Sequence, residues 1–313
     1  MAEQSLRQIS VARARRGLLH EIVRNRWAYL FISPFFVLFA IFQAFPIGYS
    51  VYISLFDWSG IGPMEHVGLK NYEYLTGPGG RAFQQSLQNG VILFFMYVPA
   101  MTLLAIVLAV LLNSKRVRGF RIYRTVLFMP YITSMIAAGI TFQLLLQQDN
   151  GLFNVVLETL GFSSQPWLET KWLARLSLCL LIVWGWLGYN MVIMLAGLQT
   201  IPHELTEAAR IDGANAVQAF FRITIPLLRP VIAFSVILST IGSFGLFNET
   251  QALFRSTGGA GPLRSTLTPL VYIYSQAFGR FELGRAAAAG YLYFALIFIL
   301  TLVQLRFVGR EEE

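Results

Sequence analysis

Six apolar stretches free of Lys, Arg, Asp and Glu recur along this 313-residue chain, at 28–53, 91–112, 125–146, 176–198, 231–247 and 286–305. A lipid hydrocarbon layer offers no water to satisfy a backbone N–H or C=O, so a crossing segment must close its own hydrogen bonds. A helix needs roughly 20 apolar residues for the crossing. The stretches therefore predict an all-α, polytopic membrane protein with six transmembrane helices. The fifth is short and is expected to extend to Gln251 or back toward Leu227. Charged residues make up 13% of the chain, against about 25% in a soluble domain.

Basic residues set the orientation. Segments 1–27, 113–124, 199–230 and 306–313 hold 16 Lys and Arg, whereas 54–90, 147–175 and 248–285 hold 8. The richer side is expected to be cytoplasmic, with both termini inside. The organisation read from this is a basic N-terminal segment (1–27), a six-helix domain (28–308) and a short cytoplasmic tail (309–313). The stretch 4–26 reads either as an interfacial helix, with Arg7, Arg13, Arg15 and Arg16 on anionic headgroups, or as a disordered tail.

Chemistry is sparse. Cys179 lies in an apolar run and reads as a small buried residue, and His20, His66 and His203 fall in separate segments, so no metal site is expected. No hydrolytic pattern is present, and the Gly-rich run 258–262 lacks the Lys and Ser/Thr of a phosphate-binding loop. No catalytic residue and no bound cofactor are therefore expected, and energy for transport would come from another chain. Ion-driven transporters place ionisable groups within the membrane. The six stretches hold none, which argues against a secondary transporter working alone.

Residues 201–230 form a polar insert between the fourth and fifth stretches. Pro202 suits a first helical turn, and Glu204 and Glu207 follow near that positive helix end. Asp212-Gly213 is a turn signal. A second helix is expected from Ala214 to about Ile223, with Val217, Phe220, Phe221 and Thr224 on one face. Pro226 and Pro230 are expected to stop it and start the next membrane segment. Arg210, Arg222 and Arg229 are too few to track a phosphate backbone, so no nucleic-acid partner is expected. An amphipathic loop lying on the bilayer remains the alternative.

The insert resembles the EAA loop of ABC-importer permeases, through Glu207-Ala208-Ala209, Asp212-Gly213-Ala214, Phe220, Ile223, Pro226 and Pro230. Further residues resemble the carbohydrate branch of that family, of the maltose and glycerol-3-phosphate type. They are Pro46-Ile47-Gly48-Tyr49-Ser50, Trp186-Leu187-Gly188-Tyr189, Phe247-Asn248, Thr257-Gly258-Gly259 and Leu270–Phe278. The similarity runs from about Ala28 to Phe307. It implies a type I importer permease fold in a bacterial or archaeal cytoplasmic membrane. It also implies a second homologous permease subunit, two ABC ATPase subunits that hold ATP and Mg, an extracytoplasmic solute-binding protein and a sugar substrate. In the EAA loop, spanning 199–230, two short helices would dock in a cleft on the ATPase. Glu207 and the Asp212-Gly213 turn would position them, and Phe220 and Phe221 would anchor them to the transmembrane core or to the ATPase.

In maltose-type members, substrate contacts come from the segments that match 186–191 and 244–248 here. The residues carried over to the pathway are Trp186, Leu187, Gly188, Tyr189, Asn190, Met191, Phe244, Gly245 and Asn248. Aromatic rings can pack on the C–H faces of a sugar, and neutral amides can pair with its hydroxyls. A neutral cavity is expected. Ordinary helix packing, with Gly185 and Gly188 as contact points and Asn190 as interhelical glue, is the competing reading. Asn190 and Met191 stand where a maltose-type member has proline and tyrosine, and Gly245 where it has asparagine. These departures argue against maltose and leave the saccharide class, with a glycerol phosphodiester or polyol as the alternative solute.

The charge asymmetry fixes a test of topology. A reporter fused after Glu313, or inserted between Ser114 and Arg121, should report cytoplasm, and one at Gly77-Pro78 the outside. A cytoplasmic signal at Gly77 would break the six-span arrangement.

Overall fold

The computed structural model describes residues 24–114 and 119–309. The N-terminal stretch 4–23, the basic run 115–118 and the tail 310–313 lie outside the described residues. Two compact units divide the chain, the first ending at Ile53 and the second starting at Ser54.

The first unit is one apolar rod. Helix α1 (Arg26–Phe39) passes through a π-helical turn (Ala40–Ala44) into α2 (Phe45–Ile53). Pro46 lacks an N–H and crowds the preceding turn, and the wider π turn lies immediately before it. Together these residues form a 28-residue candidate span.

The second unit opens with a two-stranded ribbon, β1 (Phe56–Asp57) antiparallel to β2 (Glu65–His66). Helix α3 (Lys70–Thr76) follows, and its buried Asn71 ties back to the carbonyls of Ser54 and Phe56, both at 2.9 Å. The long helix α4 (Arg81–Asn113) leads to α5 (Phe120–Ile132), α6 (Met135–Leu145) and the short α7 (Leu152–Thr159). The central helix α8 (Lys171–Thr200) then runs back through the unit. Beyond it come α9 (His203–Ile211), α10 (Ala216–Ala219), a π turn (Phe220–Thr224) and α11 (Ile225–Phe244). The chain closes with α12 (Asn248–Leu253), α13 (Pro269–Tyr274) and α14 (Leu283–Gly309).

Helix α8 packs along α4, with α5 and α11 beside it. Toward one end, Leu93, Tyr97 and Met101 of α4 meet Leu178, Leu181 and Ile182 of α8. Toward the other, Ala105 and Ala109 meet Met194, Leu195, Leu198 and Leu228. A third cluster joins Leu75 and Phe83 to Val271, Tyr272, Ala288 and Ala289. Among the described residues, five helices are long and apolar enough to cross a membrane, or six if one bent pair counts as a span.

Three expectations need correction. The third stretch is not one straight span, because α5 and α6 meet at 93°. Pro130 removes a backbone donor near the end of α5, Thr133 is extended, and the Ser134 hydroxyl caps the new helix by accepting from the Ala137 N–H at 3.5 Å. Second, Pro226 and Pro230 do not stop the helix. Residues Ala216–Phe244 form one 29-residue rod, with the π turn set just before Pro226, as in the first unit. Third, of the two extensions open to the fifth stretch, the one to Gln251 is not taken: the helix runs back past Leu227, as the other reading expected, and ends at Phe244 with Gly245 capping it. The chain then folds back into α12, which packs on α6 and α8.

The α5–α8 crossing turns on Gly188. A Cβ there would overlap the Leu127 carbonyl and come within 2.8 Å of the Phe128 Cα, both backbone atoms that cannot swing aside. Gly188→Ala should therefore cost about 1–3 kcal/mol. Thermal melting of the purified protein in detergent would register this as a lowered midpoint, and an unchanged midpoint would show the crossing to be loose.

Candidate translocation cavity and coupling loop

A cavity of about 330 Å³ lies between α4, α8, α11 and α12, at the small end of the roughly 300–1,000 Å³ typical of ligand sites. Tyr97 and Met101 come from α4, and Ile182, Trp186, Tyr189 and Asn190 from α8. Leu238, Ser239, Ile241 and Gly242 come from α11, followed by Gly245, Leu246 and Glu249. Leu238, Ile241 and Gly242 are exposed, so the cavity is open along the α11 flank.

An aromatic cluster stands at its side. Tyr131 stacks on Tyr189 with centroids 4.7 Å apart and lies edge-on to Trp186 at 5.3 Å. Offset-stacked and edge-to-face pairs are the arrangements that ring quadrupoles favour. The ring positions are thereby fixed by α5 as well as α8.

The sequence-predicted pathway residues divide into three groups. Trp186, Tyr189, Asn190 and Gly245 line the cavity. Leu187, Gly188, Met191 and Phe244 sit in helix contacts: Met191 is fully buried in the α4–α8 core, and Phe244 packs against the Gly90 position. Asn248 is exposed at the start of α12 and is not among the lining residues. The Asn190 amide is occupied by protein partners. Its Oδ1 accepts from the Ser235 hydroxyl at 2.6 Å, and its Nδ2 donates to the Trp186 carbonyl at 3.0 Å. Here it joins α8 to α11.

The expectation of a neutral cavity is corrected by Glu249. Because the fifth span stops at Gly245 and α12 turns back into the bundle, this carboxyl is only 6% exposed and lines the cavity. The Trp186 indole N–H donates to its Oε1 at 3.3 Å. Sequence reasoning missed Glu249 by counting it beyond the membrane stretch. It also missed Tyr97 and Ser239, whose side-chain hydroxyl and backbone carbonyl meet at 3.4 Å, and Tyr131. The available signal was Gly245, a helix stop after which the next helix, with its acid, can turn back into the bundle.

At the other end of α11, α9 and α10 build the predicted polar loop. The Asp212 and Ala214 N–H groups bond to the Ala208 and Ala209 carbonyls at 3.0 and 2.8 Å. Between them Gly213 takes φ +86°, the left-handed geometry that ends a helix this way. Asn215 and Gln218 form a reciprocal capping box, with both bonds at 2.9 Å. Glu207, Ala208 and Asp212 are exposed, and Ala209 and Ala214 are half-buried. The two phenylalanines part company: Phe220 packs into the α4–α8–α11 core, while Phe221 is 62% exposed beside Val217 at 64% and Ile211 at 86%.

Comparison with known proteins agrees with this architecture. The family described as "Binding-protein-dependent transport system inner membrane component" matches residues 80–312. The arabinooligosaccharides transport system permease protein AraP of Bacillus subtilis (strain 168) is 37% identical over 282 residues, covering 90% of this chain and 88% of that protein. The lactose transport system permease protein LacF of Rhizobium radiobacter is 37% identical over 290 residues, covering 92% and 94%. A chain of the bacterial alginate ABC transporter, crystallised with an alginate pentasaccharide-bound periplasmic protein, shares the fold with a TM-score of 0.75 at 20% identity. That match covers 94% of this chain and 97% of the other.

The Asn190–Ser235 bond supplies a stability test. Asn190→Leu strands the Ser235 hydroxyl, and such interhelical bonds contribute about 0.6 kcal/mol on average and up to about 1.7. A small fall in the detergent melting midpoint is expected, with Ser235→Ala giving less because the amide keeps its other partner. Equal or larger loss in Ser235→Ala would contradict this assignment.

Proposed function

This chain belongs to the binding-protein-dependent transport system inner membrane component family, a family of multi-pass inner-membrane transport subunits, and we propose that it conducts saccharides as one permease subunit of an ATP-driven importer. The observation that carries the reading is the cavity walled by Trp186 and Tyr189, set among membrane helices, open along the α11 flank and linked by α11 itself to the polar loop. Aromatic walls with a few polar groups suit the apolar faces and hydroxyl edges of a sugar. The names of the two relatives, one for arabinooligosaccharides and one for lactose, support the same substrate class.

The exposed surfaces support the remaining parts of this reading. A second, homologous permease covers the open α11 flank and completes the pathway. An extracytoplasmic solute-binding protein delivers the sugar to the end that carries α12 and α13. Two ATPase subunits, which hold ATP and Mg, dock on the loop. Leu205, Ile211, Val217 and Phe221 are exposed apolar side chains on that loop, and support a protein contact there. The 16-to-8 basic asymmetry supports a cytoplasmic placement of the loop and of both termini. ATP-driven closure of the ATPases would open the pathway outward, and hydrolysis would reset it.

The test is uptake in vesicles holding the permease pair, the ATPase and the solute-binding protein from one genome. ATP should drive accumulation of radiolabelled arabinotriose or lactose. Gly213→Val forces a β-branched residue into left-handed geometry. It should insert normally yet lose ATPase association or uptake. Trp186→Ala should cut uptake while leaving ATPase assembly intact. Failure of wild-type vesicles to accumulate either neutral saccharide would overturn the substrate class, and normal uptake by Gly213→Val would overturn loop docking.

A further inference from the structure

Glu249 is the one acid among the residues lining the cavity. It is buried, and among the described residues no cation pairs with it. The Trp186 indole bond at 3.3 Å is long for a charge-assisted contact, and it engages Oε1 alone. A carboxylate accepts at roughly four lone-pair sites, so most of its capacity is unmet by the protein. Burying a charge in this way costs free energy unless something else pairs with it. The amide that was expected to read hydroxyls, Asn190, is already held by Ser235 and the Trp186 carbonyl. Beside the Ser239 and Tyr189 hydroxyls, Glu249 is the strongest acceptor left open on the cavity wall, next to the Trp186 ring.

We infer that Glu249 is the specificity-determining residue of the cavity: its carboxylate accepts hydrogen bonds from adjacent hydroxyls of an uncharged saccharide and rejects saccharides that carry carboxylate or phosphate. The inference rests on the saccharide reading above and adds the charge class of the solute. Two hydroxyls on neighbouring ring carbons can each donate to one carboxylate oxygen, while Trp186 covers the apolar face. An anionic solute instead brings a second negative charge beside a buried one, which is repulsive in a low-dielectric site. The phosphorylated alternatives are excluded on the same ground.

The test compares wild type, Glu249→Gln and Glu249→Asp in the complete transporter, using uptake in vesicles and equilibrium binding to the transporter in nanodiscs without the solute-binding protein. The probes are arabinotriose and lactose as neutral saccharides, and digalacturonate as the acidic one. Glu249→Gln keeps the shape and one acceptor but loses the charge. Neutral-saccharide affinity should fall by about tenfold, as expected for loss of a charge-assisted bond, and digalacturonate affinity should rise, reversing the preference. Glu249→Asp should keep the wild-type order of preference at reduced affinity. A folding defect would weaken all probes together, so an unchanged neutral-to-acidic ratio in Glu249→Gln overturns the inference even if affinities drop. Wild-type binding of digalacturonate as tight as that of lactose overturns it as well. If wild type neither binds nor accumulates any neutral saccharide, the substrate reading fails and the inference falls with it. Neutral uptake that proceeds normally in Glu249→Gln refutes the inference alone.

Discussion

The contact of α8 with α4 is what the rest of the second unit depends on. Lipid is as apolar as a leucine side chain, so helices in a bilayer gain little from hiding apolar surface and must associate through close packing and interhelical hydrogen bonds. Small side chains at Ala105 and Ala109 let the two helices approach, and Gly188 does the same for α5 on the next face of α8. The Asn190–Ser235 bond then ties α11 to this pair. The cavity is the space left where packing gives way to aromatic rings and a carboxyl, so its walls are held by the same helices that hold the bundle.

Backbone chemistry explains the irregularities. Each of two long rods carries a proline near a π-helical turn, Pro46 after Ala40–Ala44 and Pro226 after Phe220–Thr224. A π turn shifts the hydrogen-bond register by one residue, so a rod can accommodate the missing N–H without breaking. Pro34, Pro99 and Pro230 lie inside helices that continue without such a turn, so a missing N–H alone does not end a helix. After Pro130 a Thr133-Ser134 junction with its own side-chain cap starts a new helix, and there the chain bends.

These differences mark how far the sequence could be read. The apolar stretches disclosed the long helices, because hydrocarbon thickness and backbone satisfaction leave few options. The helix–turn–helix of the polar loop was legible down to Gly213, since a left-handed turn and its glycine are local chemistry. The bend at 133–134 and the continuity through Pro226 were not, because proline alone does not say whether neighbouring turns will absorb it. At the cavity, residue type identified Trp186 and Tyr189 but misjudged Asn190, whose partner Ser235 is 45 positions away. Glu249 was hidden by the same cause: its burial follows from α12 docking on α6, a tertiary event that hydropathy does not register.

The unbroken rod Ala216–Phe244 has a mechanical consequence. It is held along its length, with Ala219 and Leu228 buried toward the loop, Ser235 at the middle, and Ser243 and Phe244 at the cavity end. At 1.5 Å per residue, Ala216 and Gly242 are about 39 Å apart along it. A rod packed at several points along its axis cannot pivot about one of them, so a push at the loop would shift it as a whole and arrive undiminished beside Ser239 and Gly242.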